Sequence, residues 1–405
     1  MVSILPFRAL RPSPLLAEKI ASRPYDVLTS NEAREAANAN PYSFLHVTKS
    51  EIDLPDTVDI HSPAVYEKAN ENLKNFIQQE ILVREAKPCY YIYQLTREGR
   101  SQTGLVAVSS VDDYHQNRIK KHEFTRPEKE KDRIDHLFAT HAQTGNVFLA
   151  MRDLPALDQV IQNEQRQKPV YDFEAEDGVR HCVWVVDDPK QIETITALFR
   201  DQVPCTYIAD GHHRAASAAK VSTLLPERPD AQYFLTTIFP ASQLAILDYN
   251  RVIKDLNGHS ASAFIEKLQA DFIVSKKESA VRPSQLHSFG MYVDGSWYEL
   301  CAREGTYTND PIGVLDVTIL TQRILEKLLG ITDQRTDKRI DFIGGIRGLE
   351  ELKNRVDHGE AQVAFSLYPV SIEQLFAIAD SGEVMPPKST WFEPKLRDGL
   401  LTHLL

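Results

Sequence analysis

With 405 residues, 42% of them hydrophobic and 25% charged, the chain is long enough for two or three domains with real cores. Its 57 acidic against 46 basic side chains leave a net charge of −11, which argues against extensive nucleic-acid contact. Cys89, Cys182, Cys205 and Cys301 lie far apart with no paired spacing, which suggests neither a disulfide framework nor a cysteine zinc site. No stretch reaches the ~20 apolar residues of a membrane span, so a soluble cytoplasmic protein is expected.

The first 60 residues are rich in Pro and Asn, and short elements are expected there: a strand at Ile4–Leu10, a helix at Asn31–Ala39 and a strand at Phe44–Val47. Pro24 and Asp26 mark a turn. Residues 61–85 carry apolar positions at helical spacing, among them Leu73, Phe76 and Ile77. Strands 89–96 and 103–111 form a hairpin around Gly99 and Arg100. The polar segment 118–145 is mostly helical, with Pro127 opening its main helix. A strand at 146–151, a helix at 154–166, a second hairpin (170–175 and 179–187) and a helix at 191–200 follow. They lead to a strand at 205–209, a short helix and a strand at 232–240. Beyond about residue 255 a helix at 260–270, strands near 287–293 and 297–302, and a helix at 317–329 indicate a further module. The pattern predicts an α+β fold with mixed sheets and antiparallel hairpins, not a doubly wound array, divided into 1–254 and 255–405. The strap 382–400 is expected to return to the core.

The strongest chemical signal is Asp210-Gly211-His212-His213-Arg214, set between an apolar strand and an alanine-rich helix. Gly211 lets a ligand approach the backbone, and the first amides of the helix favour a phosphate or carboxylate. Arg214 adds a planar fork of donors, His213 a further polar group, and Asp210 a carboxylate for a metal, hydroxyl or histidine. The plain alternative, with Asp210 as a cap and Arg214 in a surface ion pair, needs fewer such residues than are present. Two adjacent histidines do not make a complete metal-ligand set.

A second array lies at His122–Arg133, where Lys129 and Arg133 share a helical face and Glu123 is available as a general base. An ordinary solvated helix with ion pairs explains it about as well. Lys388, Ser389 and Thr390 in the Pro-rich segment 382–395 could touch phosphate, or that segment could simply strap the core. The paired glycines of 341–352 allow a phosphate loop or a plain turn into a helix.

The motifs LPFRALRP (5–12), PYDV (24–27), KHEFTRPEKEKDR (121–133), YIADGHHRAASA (207–218) and MPPKSTWFEPKLRDGL (385–400), in this order, resemble a bacterial and archaeal family catalogued as domain of unknown function number 1015. The turn at 210–214 also resembles the nucleotide-handling turn of ParB partitioning proteins, sulfiredoxins and free-serine kinases. There a Gly-x-His-Arg segment opens a helix and meets nucleotide phosphates. Gly211, His213 and Arg214 match it, and Asp210 matches the acid before the glycine in the kinase-like members. This likeness implies a ParB/sulfiredoxin-like core with large additions.

Three functions follow as expectations. The first is an ATP- or ADP-dependent phosphotransferase acting on a small-molecule hydroxyl, such as that of an amino acid. Arg214, His213, Gly211, Lys129, Arg133 and Lys388 would hold phosphates, Mg2+ would sit on Asp210, and Glu123 would act on the acceptor. The second is nucleotide binding without turnover. The third is hydrolysis of a phosphorylated or carboxylated small molecule, with His212 or His213 as base beside Asp210. Sulfiredoxin chemistry is disfavoured because Cys205 lies in the strand, away from the polar turn. Homodimerisation is left open.

Overall fold

The computed structural model describes residues 1–405 and divides into two compact units. The first comprises residues 1–120, 125–244 and 394–405, and the second residues 121–124 and 245–393. The division thus falls before the strand at 249–253, whose partners all lie further along the chain, whereas the sequence reading put it after that strand. Of the strap expected at 382–400, residues 394–400 belong to the first unit, together with the closing residues 401–405.

The first unit is built on a nine-stranded mixed sheet. Its strands are β1 (Ile4–Leu5), β2 (Tyr90–Arg97), β3 (Arg100–Ser110), β4 (Ile119–Lys120), β5 (Val147–Met151), β6 (Tyr171–Glu174), β7 (Arg180–Val186), β8 (Thr206–Asp210) and β9 (Tyr233–Pro240). They run in the order β4-β8-β5-β9-β3-β2-β7-β6, with β1 added beside β3. The β4–β8 and β5–β9 pairs are parallel, and the rest are antiparallel. The β2–β3 hairpin turns on Glu98 and Gly99, both at positive φ, as a tight two-residue turn requires. Because β5 is buried on both faces, it reads as a continuous apolar run, Val147–Met151.

Five helices matter here: α1 (Pro63–Gln78), α2 (Pro127–Thr140), α3 (Pro155–Glu164), α4 (Pro189–Gln202) and α5 (His212–Leu224). Pro127 opens α2 as its fixed φ predicts, because its missing N–H costs nothing in a first turn. The core joins Ile92, Leu105, Leu149 and Ile208 of the sheet to Phe199 of α4 and Ala215 of α5. Burying a side chain such as Phe199 contributes about 1.5–3 kcal/mol. A separate cluster gathers Leu10, Ile20, Phe44, Val47 and Leu73. Phe44–Val47, expected as a strand, instead leads into the short helix Leu45–Thr48. Phe44, Leu45 and Val47 are all buried there, and so short an apolar run has no period that separates helix from strand.

The second unit carries a six-stranded, wholly antiparallel sheet. Its strands are β10 (Tyr249–Ile253), β11 (Phe272–Lys277), β12 (Ser288–Val293), β13 (Ser296–Ala302), β14 (Ile340–Gly344) and β15 (Val363–Ser366), in the order β11-β13-β12-β15-β10-β14. Helices α6 (Ala261–Leu268), α7 (Asp316–Leu320), α8 (Gly348–Asp357) and α9 (Ile372–Ser381) belong to it. The single helix expected at 317–329 is α7 running directly into a π-helical segment, Thr321–Glu326. A Cβ on Gly344 would sit 2.4 Å from the Trp391 ring, and one on Gly345 would sit 2.5 Å from Asp248 Oδ1. Close packing therefore accounts for this glycine pair, and the phosphate-loop reading is not needed. No helix is long and apolar enough to cross a membrane.

Candidate functional site

Strand β8 delivers Asp210 to the end of the first unit's sheet. Its register with β5 shifts between Ile208 and Asp210, a bulge of the kind that re-aims a side chain. Gly211 follows at φ +91°, ψ 30°, the left-handed conformation that other residues adopt only at a cost, and α5 starts at His212. No side chain caps this helix, so the partial positive charge of its first turn is not offset by a capping oxygen.

The Asp210 carboxylate is engaged on both oxygens. Oδ1 accepts the Gly211 N–H at 2.8 Å, and Oδ2 accepts a charged hydrogen bond from Lys395 Nζ at 2.7 Å. As arranged, this lone carboxylate does not fit the resident metal that the sequence reading placed on it, because a cation there would have to displace an ammonium group. His213 Nε2 accepts the Arg126 N–H at 2.9 Å, so that nitrogen carries no proton and its lone pair is in use. His212 is buried in the first turn of α5.

Arg214 turns inward. Its side chain is only 10% exposed, Nη1 donates to the Asn146 carbonyl, and Nη2 donates to Asp26 Oδ1 at 3.3 Å. Nε has no hydrogen-bond partner. Burial opposes the charge of this guanidinium, but Asp26, Asp398 and Asp210 outweigh it and hold the proton more firmly than usual. The donors that the sequence reading gave to a phosphate are therefore largely committed to the protein.

Behind Arg214 lies a second guanidinium. Arg133 of α2 stacks 3.8 Å from the Tyr25 ring centroid, and Arg214 lies 5.6 Å from the same ring. Arg133 donates through Nε and Nη2 to Asp132 Oδ2 at 2.9 and 2.6 Å. Tyr66 and His61 meet the other oxygen of Asp132 at 2.9 and 3.1 Å. Burial pushes Asp132 up, but Arg133 and these hydrogen bonds win and hold it below the usual carboxylate value. Burial raises the Tyr25 hydroxyl to about 12. His136, one turn on from Arg133, is pushed down to about 4 by burial and by Arg133, and is neutral at pH 7. A cavity of about 40 Å³ lies among Tyr25, Arg133, Gly145, Arg214 and Asp398. At ~10–15 Å³ per water it holds a few waters at most. A nucleotide does not fit inside it.

Sequence reasoning named Asp210, Gly211, His212, His213, Arg214, Lys129 and Arg133, all of which belong to the first unit. Lys129 is half-buried on α2, four residues before Arg133. Glu123 and Lys388 belong to the second unit. Within it, Glu123 helps keep the fully buried Arg251 protonated, though burial lowers that guanidinium to about 10. Lys388 Nζ lies 5.8 Å from the Tyr249 ring centroid. Four residues at the turn's periphery went unassigned: Tyr25, Asp26, Lys395 and Asp398. Their signal was present, since the first two sit in the motif 24–27 and the others in the motif 385–400. Asp398 and Ser22 exchange two backbone hydrogen bonds, at 3.1 and 2.9 Å, which tie the end of the chain to the segment before Tyr25.

The chain belongs to the family described as protein of unknown function, DUF1015, whose model matches residues 4–318. No curated protein matches it. Among solved structures, it is similar to a conserved hypothetical protein from Pyrococcus furiosus at 16% identity, over 74% of this chain and 94% of that one, with a TM-score of 0.39. It is similar to a free serine kinase in complex with AMP at 14% identity, over 73% and 92%, with a TM-score of 0.37. The C-terminally truncated SbnI from Staphylococcus aureus matches at 12% identity, over 72% and 85%, also with a TM-score of 0.37.

Proposed function

We propose that the turn Asp210–Arg214 binds the phosphates of a nucleotide and that the protein passes a phosphoryl group to a small-molecule hydroxyl. The observation that carries this reading is the uncapped start of α5 at a left-handed glycine, with the Lys395 ammonium 2.7 Å from the preceding carboxylate. Backbone amides at a helix start suit phosphate oxygens, and a lysine on a flexible stem can move from Asp210 to an incoming anion. Arg214 and Arg133 act from beneath, as fixed positive charges stacked about Tyr25 rather than as direct ligands. Phosphoryl transfer needs positioning and charge compensation above all, and these groups supply both.

Nucleotide binding without turnover is the second reading. It is favoured by the absence of a spare oxygen on Asp210 for magnesium and by the committed lone pair of His213. The same committed lone pair weighs against His213 as the base of the hydrolase reading and leaves His212 as its other candidate.

Calorimetric titration of the full chain with ATP, ADP and pyrophosphate, with and without Mg2+, tests the phosphate turn. Binding that weakens about 10- to 100-fold in Lys395→Ala supports it, since a charge-assisted hydrogen bond contributes roughly 1.5–3 kcal/mol. Failure of all three ligands to bind removes it. A turnover screen with hydroxyl-bearing metabolites separates the two readings. In that screen Glu123→Gln tests the acid that sequence alone assigned to the acceptor, by loss of rate with nucleotide binding retained.

A further inference from the structure

The second unit contains a cavity of about 340 Å³, within the size range of small-molecule pockets. Ile312, Met385, Pro386 and Pro387 give it apolar walls, and Thr318, Gln322, Glu326 and Arg335 supply its polar lining. Two independent features mark it as more than a packing fault. Part of the wall is the π-helical segment Thr321–Glu326, a rare geometry that recurs at functional sites. In addition, Thr318, only 4% exposed, has a hydroxyl with no hydrogen-bond partner. A buried polar group left in that state is costly unless a ligand or water completes it. The neighbouring Thr321 shows the contrast: its hydroxyl donates to the Val317 carbonyl at 2.7 Å and accepts from Gln334 Nε2 at 2.8 Å.

The charges in the lining select the ligand. Glu326 and Arg335 are opposite in sign and border the same apolar space. Arg335 uses Nε and Nη2 on Asp333, at 2.9 Å each, which leaves its Nη1 group for another acceptor. We propose that this cavity binds a small zwitterion with an apolar body, in chemical terms a free aliphatic α-amino acid. Glu326 takes the ammonium, Arg335 takes the carboxylate, Thr318 adds a hydrogen bond, and the side chain packs on Met385 and Pro386. This assignment does not depend on the phosphate reading of the turn.

Calorimetry on the full chain with L-leucine, leucinamide, 4-methylpentanoate and glycine tests it. L-leucine is expected to bind at least about tenfold more tightly than the other three, which lack the carboxylate, the ammonium or the apolar body. Glu326→Gln and Arg335→Gln, both at exposed positions, are each expected to weaken L-leucine about tenfold with the melting temperature unchanged. Gln322→Trp, also exposed, is expected to fill the cavity and abolish binding. The proposal is overturned if L-leucine does not bind, if the analogues bind equally well, or if all three variants bind it like the parent.

Discussion

The surroundings of Arg214 and the cavity beside Thr318 solve opposite problems. The first packs two guanidinium groups, an aromatic ring and several carboxylates around about 40 Å³, so nearly every charge already has a partner. The second offers about 340 Å³ between apolar walls and a polar lining, and one group of that lining, the Thr318 hydroxyl, is left unmet. A densely paired network fixes geometry and field and leaves no room for a large ligand within it, so in the proposed reading the nucleotide lies at its edge, at the start of α5. The roomier pocket, in the proposal above, takes its ligand inside. On these two proposals charge density alone is a poor guide to where a ligand sits, and the richest cluster acts as support.

Substitutions should separate the two regions by their effect on stability. Arg214→Ala removes the cation beside the buried Asp398, and loss of one partner from a buried charge cluster costs about 3–5 kcal/mol. Denaturant unfolding measures this, and a loss below ~1 kcal/mol would break the picture of a charge-locked support.

Asp398 tests the same support through pH. Burial raises it to about 7 although Arg214 pulls the other way, whereas in the unfolded chain it titrates near its ordinary 3.8. Between these values the folded chain holds a proton that the unfolded chain has released. Its contribution to stability therefore falls as pH rises from about 4 to 7, then levels off. Asp398→Asn should remove roughly 2–4 kcal/mol of that decline, read by comparing variant and parent at pH 4.5 and 7.5. Parallel pH profiles would count against it.

Gly211→Ala forces an alanine into left-handed backbone and should cost about 1–2 kcal/mol. It should also weaken pyrophosphate binding, which calorimetry would detect. Glu326→Gln and Arg335→Gln should change stability by less than ~0.5 kcal/mol, because neither residue is buried. If they destabilise the chain as Arg214→Ala does, the two regions do not differ in kind.

The turn at 210–214 was legible because everything that defines it is local: an apolar strand, a glycine and a helix within a few residues. Pro127 at the start of α2 and the tight turn at Glu98–Gly99 were readable for the same reason. What surrounds the turn was not. Tyr25 and Asp398 reach Arg214 through backbone pairing between Ser22 and Asp398, and nothing in either segment alone announces that partner. The inward direction of Arg214 was equally hidden, since a fork of donors next to a glycine reads the same whether it meets phosphate or Asp26. The π-helical turn at Thr321–Glu326 escaped because its apolar spacing is that of any helix.

Residues 394–405 belong to the first unit although the whole stretch 245–393 precedes them in the chain. They bring Lys395 to Asp210, Arg397 to Glu176 and Asp177, and strand residue His403 to Gln143. On the ribosome, then, the first unit waits. Its sheet can be synthesised early, but Asp210 and Arg214 lack two of their counter-charges until the second unit has been made. A nascent chain halted anywhere before residue 394 carries this cluster unbalanced, and the order of synthesis makes completion of the charge cluster around residues 210–214 a late event in folding.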